Sequence, residues 1–392
     1  MAFFAALMTD IGTGAISTIQ ILGDSNDIIE KIFKPAGTEP AKFQMGEILL
    51  GTIHDGEKTI DQVTIGCEHP GLIAIHCHGN PLIIEMIIQL LQKHGVQILT
   101  SEQLLIKILT AEKSNNAIEI EANIALQKAK TLQGTKIILN QTKAGLTKIS
   151  QDWLQNINDI PLKNIRDETN LILQNSSIAK LIIYGCNAVL TGPPNTGKST
   201  LLNYLAGREK AIVTDIEGTT RDWITAECQM ESMSMELVDT AGLEENLSDS
   251  QDIIEKEAQR KSVEVLEKSD LILLVLDNSR DENQLSENFI EKIAGRKFIT
   301  VLNKSDLPEK FNIGKSPPEF LNFVKISAKS GAGIENLTET IRQTCGVTNF
   351  DMQASVCFTD RQENLLRQLT AAKSKQQAES IITELLNGRV CV

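Results

Sequence analysis

Short apolar runs and helical stripes divide this chain into blocks. Ala15 to Leu22 and Gly46 to Ile53 read as strands, Thr59 to Ile65 alternates apolar with polar, and Leu72 to Cys77 is a further short apolar run. Pro81 to Lys93 carries helical spacing behind a proline and is ended by His94-Gly95. The opening Met1-Ala2-Phe3-Phe4-Ala5-Ala6-Leu7-Met8 is apolar, lacks a basic lead and soon meets Asp10, so it reads as a first strand rather than a signal peptide. These elements predict a small α+β domain over residues 1–114.

From 115 to 175 the spacing is helical, as in Ile118, Ala122, Ala125 and Ala129. Between 176 and 346 the apolar runs Ile182 to Thr191, Leu271 to Leu276 and Phe298 to Leu302 alternate with helical segments, the pattern of a parallel sheet wrapped by helices. Residues 347–392 return to helix, from Arg361 through Leu386. Helical stretches on both sides predict an α/β domain inserted into a helical domain, whose parts at 115–175 and 347–392 pack as one bundle.

The inserted block carries the chemistry. Gly192-Pro193-Pro194-Asn195-Thr196-Gly197-Lys198-Ser199 fits G-x-x-x-x-G-K-[ST] between the strand Ala188-Val189-Leu190-Thr191 and a helix start at Thr200-Leu201-Leu202. That context makes it a phosphate-binding loop, with backbone N–H groups from Asn195 to Thr200 curling round the phosphates at a helix N-terminus. Lys198 is placed to reach the β/γ-phosphates and Ser199 to hold Mg²⁺.

Four more signals follow in the order a GTPase needs. Gly218-Thr219-Thr220-Arg221-Asp222 offers Thr220 as a second Mg²⁺ ligand, and Asp239-Thr240-Ala241-Gly242 closes the strand Met235 to Val238. There Asp239 can hold Mg²⁺ through water and the Gly242 N–H can sense the γ-phosphate. Asn303-Lys304-Ser305-Asp306 ends the strand Phe298 to Leu302, and Asp306 can accept from guanine N1–H and N2–H₂. Adenine lacks that donor pair, so the buried carboxylate would stay unpaired and adenine would be rejected strongly. Ser327-Ala328-Lys329 follows the strand Phe323 to Ile326 and supports the same base. Together they predict a GTP- and GDP-binding, GTP-hydrolysing P-loop enzyme. The glutamine that orients water in Ras-like enzymes is replaced by Leu243, which cannot hydrogen-bond, and Arg221 is the nearest arginine without being placed as a finger.

Charge and cysteines narrow the partners. A net charge of −13 and a pI near 5.0 argue against loose binding to DNA or RNA by the chain as a whole. One stretch departs from this: between Ala122 and Gln151 there are Lys128, Lys130, Lys136, Lys143 and Lys148 and no acid, read as a solvated helix face ahead of a contact surface for RNA or an acidic partner. The seven cysteines lack a C-x-x-C pair and suit a reducing compartment. No run reaches the ~18 apolar residues of a membrane helix, so a soluble, cytoplasmic protein without a membrane partner is expected. His76-Cys77-His78-Gly79-Asn80, with His69 the other nearby histidine, reads as a strand-to-helix turn rather than a metal site.

The chain resembles the MnmE (TrmE) family of tRNA-modification GTPases over nearly its full length. The resemblance rests on Pro193 to Ser199, Glu217-Gly218-Thr219-Thr220-Arg221-Asp222, Asp239-Thr240-Ala241-Gly242-Leu243, Ala74-Ile75-His76-Cys77-His78-Gly79, and the insertion between helices. It implies G domains that dimerise across the nucleotide, potassium in place of an arginine finger, Asn195 as the potassium ligand, and Glu255 as the residue that positions water. It also implies a homodimer through the N-terminal domain, a flavin-dependent partner subunit, indirect contact with tRNA, and an aminomethyl-type modification of the wobble uridine using a formyl-folate carbon. Where the family lines its folate pocket, this chain reads Asp10-Ile11-Gly12-Thr13-Gly14, Gln20 and Glu102-Gln103-Leu104-Leu105, and where the family ends in Phe-Cys-Ile-Gly-Lys it reads Gly388-Arg389-Val390-Cys391-Val392. Those departures motivate a second reading, a GTPase scaffold or regulator without folate or tRNA chemistry. A third is a ribosome-assembly GTPase, for which the lysines between 128 and 148 are the one basic feature.

Overall fold

The computed structural model describes residues 3–9, 12, 14–23, 26–37, 45–69, 71–111, 116–208, 224–239, 265–280, 284, 290, 293, 295–312, 318–321 and 323–390. The chain divides into two compact units, Met1–Ile124 with Asn387–Val392, and Ala125–Leu386.

The first unit is built on a sheet of β1 (Phe3–Leu7), β2 (Ile16–Leu22), β3 (Phe33–Pro35), β4 (Ile48–Asp55), β5 (Lys58–His69), β6 (Leu72–His78) and β7 (Val96–Ile98), in the order β3-β4-β5-β6-β2-β1-β7. Every pairing is antiparallel except β1 with β7. The alternation in β2 and β5 sends Ile19, Ile21, Val63 and Ile65 to one face, where they meet Ile28 and Ile29 of α1 (Asn26–Ile32) and Ile84, Ile87 and Leu91 of α2 (Pro81–Lys93). α2 starts where the sequence places it: Asn80 Oδ1 accepts from the Leu82 N–H at 2.9 Å and Pro81 takes the first turn. α3 (Ser101–Ala111) and α4 (Ala117–Lys128) follow.

His76, Cys77 and His78 lie in β6, with Gly79 and Asn80 making the turn into α2. The His78 ring lies 2.7 Å from the buried Asp61 carboxylate, which also accepts from the His78 N–H at 2.9 Å, and His76 Nδ1 lies 2.9 Å from Thr18 Oγ1. Among the described residues no three His, Cys, Asp or Glu side chains gather to hold a metal.

The second unit joins a helical part to an α/β part. α5 (Leu132–Lys143), α6 (Leu146–Gln155) and α7 (Leu162–Tyr184) precede the nucleotide strands, and α10 (Asp360–Thr370) and α11 (Lys375–Asn387) come after α9 (Ile334–Cys345). Both α5 and α10 pack on α7, so the segments before and after the insertion form one bundle. Gln141, fully buried on α5, is the principal stitch: its amide donates to the Ile137 and Ala354 carbonyls at 3.0 and 3.1 Å and accepts from the Leu146 and Val356 N–H groups at 2.9 and 3.0 Å. Lys136, Lys143 and Lys148 are exposed, as a solvated face requires, and Lys130 lies 3.5 Å from Glu227.

Two expected elements are corrected here. Ile182 to Tyr184 is not strand but the last turn of α7, where Ile182 and Ile183 are buried. The chain turns at Gly185, φ 90°, and the strand β8 runs only from Cys186 to Thr191. An unbroken apolar run from 182 to 191 conceals the change, because a buried helix face and a buried parallel strand look alike over four or five residues. The helix expected from Arg361 through Leu386 is two helices, broken between Thr370 and Lys375, where Lys373 N–H is taken by Gln377 Oε1 at 2.9 Å.

β9 (Ile224–Met230), β10 (Met233–Asp239), β11 (Leu271–Asp277), β12 (Phe298–Asn303) and β13 (Phe323–Lys325) complete a sheet with β8 in the order β13-β12-β11-β8-β10-β9. It is parallel apart from the β9–β10 hairpin. β11 is buried at every position, which explains its unalternating apolar sequence. α8 (Lys198–Arg208) follows β8.

Candidate functional site

The site forms where β8, β10, β11 and β12 end, the edge at which open α/β sheets bind ligands. After β8 the chain bends through Gly192, φ 134°, so close to Val275 that a Cβ would strike that residue's carbonyl. Asn195 and Gly197 follow at φ 64° and 95°, and α8 begins with the Leu201 N–H bonding to the Gly197 carbonyl at 2.9 Å. The loop closes on itself: Thr196 Oγ1 donates to the Pro193 carbonyl at 3.0 Å, and Lys198 Nζ donates to the Gly192 and Pro193 carbonyls, at 3.0 Å for Pro193. Lys198 is buried beneath the loop, whereas Ser199 and Thr200 are exposed at the helix start.

Ser199 Oγ donates to Asp239 Oδ2 at 2.6 Å, bringing together two of the predicted Mg²⁺ ligands. Asp239 is buried at the end of β10. A hydroxyl beside a carboxylate is the hard-oxygen donor set that suits Mg²⁺, which keeps waters and takes its other ligands from phosphate. Bound there, Mg²⁺ would neutralise charge on the β- and γ-phosphates.

The base corner is assembled from β12 and the turn after β13. Asn303, buried, donates from Nδ2 to the Thr196 carbonyl at 2.8 Å and accepts at Oδ1 from the Ala328 N–H at 2.9 Å. Lys304, φ 64°, donates from Nζ to the Asn195 carbonyl at 2.6 Å. Ser327 Oγ donates to Asp306 Oδ1 at 2.6 Å, and this bond holds the Asp306 carboxyl below its ordinary range. Asp306 is therefore anionic at neutral pH and oriented, ready to accept from a guanine edge. Asp306, expected to be buried, is exposed in the turn that follows β12, and Lys329 is exposed as well. Asn195, Thr196, Gly197, Lys198, Ser199, Asp239, Asn303, Lys304, Asp306, Ser327 and Ala328 thus gather at one end of the sheet.

Gly218, Thr219, Thr220, Arg221, Thr240, Ala241, Gly242, Leu243, Glu255 and Cys391 lie outside the described residues.

One site residue was missed in the sequence. Asp277 ends β11 and is buried, with Oδ2 2.7 Å from Lys304 Nζ. Its Oδ1 accepts from the Ser279 N–H and Oγ at 2.9 and 2.6 Å. Burial works to raise its pKa, but the bonds from Lys304 and Ser279 together prevail and the carboxyl lies below its ordinary value. The available signal was a charged residue closing an otherwise wholly apolar strand.

Comparison with known proteins shows what the chain is similar to. Residues 187–304 match the family of "50S ribosome-binding GTPase". The tRNA modification GTPase MnmE of Endomicrobium trichonymphae is 30% identical over 98% of this chain and 92% of its own. That of Thermotoga maritima is 28% identical over 99% and 91%. Among solved structures, the G domain of the T. maritima FeoB iron transporter is 25% identical over 41% of this chain and 98% of its own, with a TM-score of 0.31.

Proposed function

The chain belongs to the MnmE family of tRNA modification GTPases, and from that premise we propose that its GTP hydrolysis drives modification of the tRNA wobble uridine and is switched on by potassium and G-domain dimerisation. The observation that carries the reading is the family relationship over nearly the whole chain, beside which Asn303 to Thr196 and Lys304 to Asn195 tie the proposed guanine corner to the phosphate loop.

In this reading Asn195, exposed and with its backbone pinned by Lys304 Nζ at 2.6 Å, offers its side-chain amide oxygen to potassium beside the phosphates. Ser199, Asp239 and Thr220 serve Mg²⁺, and Glu255 positions the attacking water. With Leu243 unable to do so, hydrolysis relies on groups brought by dimerisation. The first unit supports a homodimer, and a flavin-dependent partner subunit shares the tRNA chemistry, with tRNA met indirectly. No described helix is long and apolar enough to cross a membrane.

Single-turnover GTP hydrolysis in potassium and in sodium tests the switch: faster cleavage in potassium is expected, and equal rates would overturn it. Loss of a wobble-uridine modification on deleting the gene is the expected cellular result.

A GTPase scaffold without folate chemistry is favoured by one observation. Gln20, where the family has arginine, is bonded through Nε2 to Glu68 at 2.8 Å and presents no cation to a folate carboxylate. Calorimetric titration with a reduced folate separates the two readings, since clear binding would remove the scaffold.

A further inference from the structure

We propose that Asp277 is a positioning residue for nucleotide binding, acting through Lys304 and, beyond it, the phosphate loop. Three strand ends meet here. Lys304 Nζ lies between the Asn195 carbonyl at 2.6 Å and Asp277 Oδ2 at 2.7 Å, so one ammonium ties β11 to the loop after β8 from the end of β12. A Lys ammonium on a four-carbon stem has many rotamers and no planar fork to fix it. A neutral carbonyl alone holds it weakly, whereas a buried carboxylate supplies a charge-assisted bond in a low-dielectric setting.

Asp277 is built to stay put. Its side chain is 2% exposed, against 30% for Lys304. Ser279 closes on Oδ1 through both its N–H and its hydroxyl, and Arg280 Nε approaches Oδ2 at 3.4 Å. The backbone is clamped as well: the Asp277 N–H donates to Gln284 Oε1 at 2.9 Å and its carbonyl accepts from Gln284 Nε2 at 2.8 Å. Lys304 itself stands at φ 64°, a conformation that is strained for a non-glycine residue and persists only where its surroundings impose it. A pinned carboxylate thus fixes the ammonium, and the ammonium fixes the carbonyl of Asn195, also at φ 64°.

Because Asp277 reads no base edge, its contribution is to affinity and not to base choice. The test is a double-mutant cycle on GDP affinity, read with a fluorescent GDP, using Asp277→Asn, Lys304→Met and the pair. Asp277→Asn keeps the shape and the Ser279 bond but removes the charge. We expect it to weaken GDP binding by about tenfold, to leave the ratio of GTP to ITP affinity unchanged, and to have no further effect when Lys304 is already Met. Wild-type affinity in Asp277→Asn, or effects that multiply in the double variant, would overturn the proposal. Should Asp277→Asn fail to fold, Asp277→Glu in the same two backgrounds answers the question: its misplaced charge is expected to weaken binding only where Lys304 is present, and an equal loss in both backgrounds would refute it.

Discussion

Asn303 Nδ2 holds the Thr196 carbonyl at 2.8 Å, a bond between the end of β12 and the loop after β8. The same amide accepts from the Ala328 N–H at 2.9 Å, so one side chain spaces three loops. Asn303→Ala would leave a buried carbonyl and a buried N–H unmatched, at about 1–3 kcal/mol each. GDP affinity is expected to fall by about 10- to 100-fold in a fluorescence titration. Unaltered affinity would show that the loops hold their spacing without this strut.

Gly197→Ala tests the same junction from the other side. Gly197 stands at φ 95°, and a Cβ there would strike Asn303 Nδ2. Loss of GDP binding with an unchanged far-ultraviolet circular dichroism spectrum is expected. Retained binding would mean that the loop can open without harm.

The Asp306 carboxyl predicts a pH response. Its pKa is lowered first by the Ser327 hydroxyl and then by its own backbone N–H, so it remains ionised as the solution is acidified through the ordinary carboxylate range. Guanine binding is therefore retained above that depressed pKa and lost as pH falls through it. Ser327→Ala removes the leading cause and should move the acid limb of GDP affinity to higher pH. An unmoved limb would show that another group governs it. Asp306→Asn should lose GTP by a factor approaching roughly 10⁴ and gain xanthosine triphosphate, whose edge accepts where guanine donates.

The helical bundle has its own test. Gln141 is fully buried with four hydrogen bonds, two of them to residues 354 and 356 across the insertion. Gln141→Leu would orphan those backbone groups and should destabilise the unit by about 2–5 kcal/mol, read as a lower urea midpoint. A midpoint within error of the wild type would contradict the stitching role.

Much of the site was legible because its chemistry is local. Gly192 to Ser199 and Asn303 to Asp306 each write a loop conformation and its ligand atoms in a few adjacent residues, and each follows a strand whose apolar run marks it. Asp277 was not legible, since its role depends on Lys304, distant in sequence and adjacent only once β11 and β12 pair in parallel. β7 and β3 were missed for a different reason: at three residues each they carry too little periodicity to register, and their pairing with β1 and β4 defines them. Ile182 to Tyr184 misled because the signal that separates helix from strand there is one residue, Gly185.

That residue has a mechanical consequence. α7 is 23 residues of continuous helix, about 34 Å long, and it enters β8 across Gly185 alone, whose Cβ, if present, would press on the Ser234 carbonyl at 3.0 Å. A joint that short has almost no slack. The strand that carries the phosphate loop therefore begins one residue from the helix on which α5 and α10 pack, so bundle and loop share one continuous support.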